Sequence, residues 1–307
     1  MKPIALLIFV LSFVNNLCLS QEAAIPARFY RHKSRADRTL VSELGTLTFD
    51  DNRRTIMFKD DAHDKLEVPY DCVNKALFET TEHMRGMTPA SFLAGAIPFA
   101  GMVAGPAVAG HHVSDDWFYL EYGSDPQREK VLLQLPQDKF ASVINKANDL
   151  FGPKVVKAEY VVKGEQLDPS NLPQHKEKDE LKIDKRDHPL PEVKPDKAIV
   201  VVLCPPVRGG FNGLKYQFKV HANDEVIAVN KWGTYSFAYL DPGKYRLASQ
   251  SENAYRFEME LEAGKSYYFL QNTFQGVVKN QTSLTRNSPE LVLYLVDGSY
   301  YSDWHRK

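Results

Sequence analysis

The stretch GTYSFAYLDPGKYRLAS, Gly233 to Ser249, decides the fold of the C-terminal half. Tyr235, Phe237 and Tyr239 alternate with small or polar residues, Asp241-Pro242-Gly243-Lys244 turns the chain, and Tyr245 and Leu247 resume the alternation. A period of two belongs to a strand, because successive side chains leave opposite faces of the pleat, and Pro-Gly is turn chemistry. The pattern extends both ways. Upstream, Ala198 to Leu203 is the continuous apolar, β-branched run expected of a buried strand, and Tyr216, Phe218 and Val220 alternate. Downstream, Phe257, Met259 and Leu261 lead into a second turn at Ala263-Gly264-Lys265. Strand is read after strand to the C-terminus; such even spacing implies a β-sandwich over 198–298, with 299–307 left as a tail.

The N-terminal half has the same period. Leu47 and Phe49, then Ile56 and Phe58, flank the turn Asp50-Asp51-Asn52; Leu66, Val68 and Tyr70 follow, and a further strand is expected over Lys75 to Glu82. Trp117 to Tyr122 and Val131 to Leu135 form another pair, turned by Gly123-Ser124-Asp125-Pro126. Phe140, Val143, Ile144, Ala147, Leu150 and Phe151 then recur at spacings of three and four, which predicts one amphipathic helix stopped by Gly152 and Pro153. The fold class is mainly β, of the α+β kind: an antiparallel β domain over 27–162 with one C-terminal helix, followed by the sandwich.

Two resemblances rest on these residues. Gly45-Thr46-Leu47-Thr48-Phe49, Leu66 to Val73, Phe118 to Tyr122 and the terminal helix, together covering roughly Ala27 to Gly152, are similar to bacterial PH-like (pleckstrin-homology-like) domains. Gly233 to Phe237, Leu240 to Tyr245 and Glu262 to Phe269, in that order, resemble the bacterial family known as domain of unknown function 2846 over roughly Asp196 to Val296. Its Pro-Gly turn also resembles PEGA-type and transthyretin-like sandwiches. The second resemblance implies a bacterial envelope or secreted protein and supplies no activity and no functional residues.

Between the two domains, Lys163 to Lys197 is about half charged, with Pro169, Pro173, Pro189, Pro191 and Pro195 among few large apolar residues. It reads as a semi-extended linker. Residues 1–20 read as a secretory signal peptide, with Lys2, an apolar core from Ile4 to Val14, and small residues Cys18 and Ser20 before the cut. Export, to the periplasm or beyond, follows. Cys72 and Cys204 then sit one per domain, which favours two buried thiols over a disulfide. With 38 Lys and Arg against 39 Asp and Glu, the balance supports no nucleic-acid partner.

One segment stands apart. From Gly86 to Ser114 the chain carries no Asp, Glu, Lys or Arg and is dense in Gly, Ala and Pro. A single membrane crossing would put strands that must pair on opposite sides of the bilayer, so topology rules against it. A hairpin of two helical legs of about ten residues would reach only about 15 Å, half the hydrocarbon thickness. Phe92, Leu93, Ile97, Phe99, Met102 and Val103 nevertheless offer enough apolar surface to dock on a membrane or a protein partner, at about 1.5–3 kcal/mol for each side chain wholly buried. Burial against the chain's own domains is the alternative.

Chemistry is otherwise scarce. Ala263-Gly264-Lys265-Ser266 imitates a phosphate loop, but Met259 stands where the earlier glycine is needed and no helix follows, so a hairpin turn is expected and no nucleotide. His111-His112 with Asp115-Asp116, and Asp60-Asp61 with His63-Asp64, carry metal-ligating residue types; adjacent residues on a strand diverge, so neither set is assigned a metal. No G-x-S-x-G elbow, Cys-His pair or helical zinc-protease spacing occurs, and no catalytic residue or cofactor is assigned. The tyrosines of the C-terminal half read as core-lining rather than as a carbohydrate face. The expectation is a non-enzymatic binding protein, with an envelope hydrolase using carboxylates from distant loops, or a structural spacer, as the alternatives.

Overall fold

The computed structural model describes residues 24–32, 40–60, 64–85, 111–160, 164–172, 180–184, 190–205, 217–251, 254–275 and 280–305. It is mainly β, with two α-helices among the described residues. In chain order the first lobe holds β1 (Ile25–His32), β2 (Leu40–Asp50), β3 (Thr55–Lys59), β4 (Asp64–Pro69), β5 (Val73–Arg85), β6 (His111–Tyr122), β7 (Glu129–Leu135), helix α1 (Gln137–Phe151) and β8 (Val155–Ala158). These strands make one sheet in the order β4-β3-β2-β1-β7-β6-β5-β8, antiparallel except where β8 runs parallel to β5.

The alternation read from sequence decides which side chains face inward. Leu47 and Phe49 of β2, Ile56 and Phe58 of β3, Phe78 of β5, Phe118 and Leu120 of β6 and Leu133 of β7 gather in one cluster. Helix α1 closes that cluster with Phe140, Val143, Ala147 and Phe151, the stripe its spacing predicts. The rings of Phe78 and Phe118 stack with centroids 4.6 Å apart, and Phe140 meets Phe78 edge-on at 5.8 Å. Gly45 is needed on β2 because a Cβ there would lie 2.1 Å from the Lys59 carbonyl oxygen.

The second lobe begins earlier than the sequence suggests. Within the stretch read as a linker, β9 (Glu165–Leu167) pairs with a strand of one sheet and β10 (Glu180–Asp184) with a strand of the other, and Leu172 is buried. The correction has a simple cause: an edge strand satisfies its backbone from a ladder that already exists, so it needs few apolar side chains of its own. There follow β11 (Ala198–Cys204), β12 (Phe218–Ala222), β13 (Glu225–Asn230), β14 (Thr234–Leu240), β15 (Gly243–Gln250), β16 (Ala254–Leu261), β17 (Ser266–Gln275), β18 (Asn280–Asn287), helix α2 (Pro289–Asp297) and β19 (Tyr300–His305). Two sheets result, β10-β19-β14-β11-β17-β18 and β13-β12-β15-β16-β9, and they face each other across a shared core that includes Val200, Val202, Val220, Leu247, Phe257 and Phe269.

Two further expectations need correction. Strand does not follow strand to the end: Ser288 is an N-cap whose hydroxyl accepts the Leu291 N–H, Pro289 opens α2, and Gly298 follows it. The residues read as a tail, 299–307, contain β19, whose Ser302 is buried. The cysteines are unbonded, as expected, but only Cys204 is buried; Cys72 lies exposed in a short 3-10 turn after β4. Burial pushes the Cys204 thiol far up in pKa, which leaves it inert as a nucleophile.

Helix α2 joins the lobes. Leu291, Val292, Tyr294, Leu295 and Val296 pack with Leu77, Trp117, Tyr119 and Leu132 from the outer face of the first sheet and with Leu203, Tyr235 and Leu270 from the second lobe. The centre of the first sheet is therefore covered on both faces, by α1 and by α2.

Candidate functional site

Strands β5 and β6 form one long antiparallel ladder from Val73 opposite Tyr122 to Arg85 opposite His111. Arg85 and His111, which flank residues 86–110, thus face each other on a single rung, across the roughly 4.8 Å spacing of neighbouring strands. A lone membrane crossing by this segment is incompatible with that register. Phe92, Leu93, Ile97, Phe99, Met102 and Val103 lie outside the described residues. No helix among the described residues is long and apolar enough to cross a membrane.

The hairpin below the segment is held on both faces. On the inner face, Thr80 Oγ1 donates to Asp116 Oδ1 at 2.6 Å, and burial raises the Asp116 pKa against that hydrogen bond. On the outer face, Gln134 Nε2 donates to Asp115 Oδ1 at 2.5 Å, and the Tyr30 hydroxyl donates to Gln134 Oε1 at 3.1 Å. Tyr30 stacks at a tilt on Trp117, 5.3 Å between centroids, and burial lifts its hydroxyl pKa to about 12. Asp115 and Asp116 therefore diverge, as strand alternation requires, and each is engaged by a different neighbour. The side chains of His111 and His112 are not among those described; Asp60 pairs with Lys65 at 3.2 Å, and 61–63 lie outside the described residues. Among the described residues no three His, Cys, Asp or Glu side chains gather as metal ligands.

A few residues along β5, the outer face carries a group that sequence reading missed. Glu79 is 1% exposed, and burial is the main cause that raises its pKa, with the Glu290 charge acting in the same direction. Opposing this are hydrogen bonds from the second lobe: Asn287 Nδ2 donates to Oε1 at 2.8 Å, the Ser288 N–H donates to Oε1 at 3.0 Å, and the Ser288 hydroxyl donates to Oε2. Asn287 Nδ2 also reaches Thr81 Oγ1 at 2.8 Å. Lys75, on the same strand, pairs with Glu290 of α2, while the Arg286 guanidinium sits over the rings of Tyr160 and Tyr267 at 5.1 and 5.2 Å. Two cations and two carboxylates balance across the lobe boundary. The signal that would have revealed α2 is the capping sequence Ser288-Pro289-Glu290; nothing local to Glu79 distinguishes it from a solvated strand residue.

The rest of the surface offers less. Glu79 and Asp116 are the buried carboxylates among the described residues, and they face opposite sides of the sheet, since Glu79 stands opposite Trp117, the neighbour of Asp116. They cannot serve one substrate as an acid-base pair. An open depression of about 540 Å³ lies over β15 and β16, where Lys244 is opposite Glu260 and Arg246 opposite Glu258, a mixed-sign and solvated surface. Tyr235 and Tyr267 are buried, and Tyr239, Tyr245, Tyr255 and Tyr268 are half-buried. The turn at Ala263-Gly264-Lys265, expected to close a hairpin, instead carries the chain from one sheet to the other, since β16 pairs with β15 and β9 and β17 with β11 and β18; Gly264 holds φ +72° and Lys265 pairs with Glu262 at 2.7 Å. No protein-family model, curated protein or solved structure matches the chain.

Proposed function

We propose that the protein is a non-catalytic binding protein of the bacterial envelope that docks on a membrane or a protein partner through residues 86–110, which the β5–β6 hairpin presents. One observation carries the reading: an uncharged, Gly- and Ala-rich stretch connects the two strands of a hairpin whose ladder runs in continuous register from Lys75 and Glu121 to Arg85 and His111. A hairpin needs two to five residues to turn, so a stretch of this length and composition answers a demand other than chain reversal. The rigid base lowers the ordering cost of docking, because both ends of the segment are already held. The resemblance to domain of unknown function 2846 supports an envelope setting, as does the signal-like N-terminus.

Deleting Leu93 to Ala109 should move the protein from the membrane fraction to the soluble fraction while the far-ultraviolet circular dichroism of the remaining chain stays unchanged. An unchanged distribution between fractions sinks the reading. A hydrolase gains nothing from Glu79 and Asp116, the buried carboxylates among the described residues, which face opposite sides of the sheet. A spacer role is disfavoured by the charged stretch itself, whose strands β9 and β10 are paired into both sheets of the second lobe.

A further inference from the structure

Helix α2 has nine residues, and an isolated helix shorter than about 12–15 residues is marginal in water. It therefore depends on its packing and on its N-terminus, where backbone N–H groups have no partner inside the helix. Its cap is a relay rather than one side chain. The Ser288 hydroxyl accepts the Leu291 N–H at 3.3 Å and donates to Glu79, while the Ser288 N–H and the Asn287 amide also donate to Glu79. The terminal acceptor of the cap thus belongs to the other lobe, 209 positions away along the chain from Ser288. A carboxylate is also the group that the positive end of a helix favours.

We propose that Glu79, Asn287 and Ser288 form an interlobe latch, in which strand β5 of the first lobe caps the helix of the second, so that α2 is seated and helical only while β5 holds it. Removing the carboxylate leaves the Ser288 N–H and the Ser288 hydroxyl buried without their acceptor and the Asn287 amide with Thr81 alone, and the least costly remedy is for α2 to lift away. Lifting exposes two apolar faces together: Leu77, Trp117 and Tyr119 on one lobe, Leu203 and Leu270 on the other. The charged and titratable groups that face the latch are Lys75 on β5, Tyr160 beyond β8, Arg286 on β18 and Glu290 on α2. With Glu79 itself the two cations meet two carboxylates, so the capping hydrogen bonds rather than net attraction hold the helix. The latch stands whether or not residues 86–110 dock.

Native-state amide exchange on the full chain tests it, comparing the wild type with Glu79→Ala and Ser288→Ala. In both variants the amides of 291–297 should exchange about tenfold faster or more, given the size of hydrogen bonds to a charged group, while those of β2–β3 and β15–β16 keep their wild-type rates. Unchanged α2 amides overturn the proposal. So does a uniform acceleration of all amides, which would make Glu79 a general stability residue rather than a latch. Should Glu79→Ala fail to fold, Ser288→Ala and Thr81→Val carry the same comparison.

Discussion

Strands β11 and β15 belong to facing sheets of one lobe, yet only β11 is buried along its whole length. Every residue of β11 from Ala198 to Cys204 is buried, whereas β15 alternates exposed Lys244 and Arg246 with inward Tyr245 and Leu247. The inner face of each strand meets the shared core; on the outer face of β11 Leu203 meets α2, whereas on the outer face of β15 Lys244 and Arg246 meet water and only Ala248 is covered, by Leu172, Ala254 and Leu167. The same contrast recurs in the first lobe. Trp117 to Leu120 of β6 are buried without a break because α1 covers one face and α2 the other, while Leu44 of β2, beyond the rungs that β2 shares with β3, is 66% exposed. A continuous apolar run in a strand therefore reports two covering layers, and alternation reports one.

The sharpest way to break this comparison is to truncate matched outer-face positions. Leu203→Ala should cost about 2–5 kcal/mol in urea denaturation, since it opens a cavity under α2, whereas Lys244→Ala should stay within about 0.5 kcal/mol. Equal costs would mean that α2 does not cover β11. Next in size is the turn before β17. Gly264 holds φ +72°, so Gly264→Ala should destabilise by about 1 kcal/mol, measured as a lower urea midpoint, although nothing but a distant carbonyl at 3.7 Å would meet the added methyl group.

A subtler effect comes from acid. Burial raises the Glu79 pKa above its unfolded value, so folding favours the protonated form. Its contribution is fully present below the unfolded value near 4.3 and is lost as pH rises through the folded pKa. The stability of the wild type relative to Glu79→Gln should accordingly decline as pH is raised from about 4.3 towards neutrality, read as converging or crossing urea midpoints. A difference independent of pH would show that the carboxylate is not desolvated by the seated helix.

Much of the fold was legible from local pattern. The hairpin turned by Asp50-Asp51-Asn52 is the pairing of Phe49 with Ile56 and Leu47 with Phe58, and the stripe of α1 buries the residues its spacing selects. The strands that flank the uncharged segment do pair, and the last four residues read as part of it, 111–114, already belong to β6 opposite 82–85. The charged stretch was misread because composition measures how much apolar surface a segment can bury alone, not whether an edge stands ready to receive it. Helix α2 was misread for a different reason: Leu291 to Val296 is apolar on most sides, so period could not distinguish a buried helix from a buried strand, and the cap at Ser288 was the deciding clue.

By itself the sequence determined strands β2 to β7, β11, β12 and β14 to β17, helix α1 and the place of the uncharged insertion, because each depends on neighbours within a few residues: the period of side chains, the φ that glycine allows, the groups at a helix end. Only the tertiary structure decided that α2 lies between the lobes, that β9, β10 and β19 complete the second lobe's sheets, and that Glu79 reaches across to the helix cap. A run of buried residues states that a cover exists, and the identity of that cover is a long-range fact which no local pattern encodes.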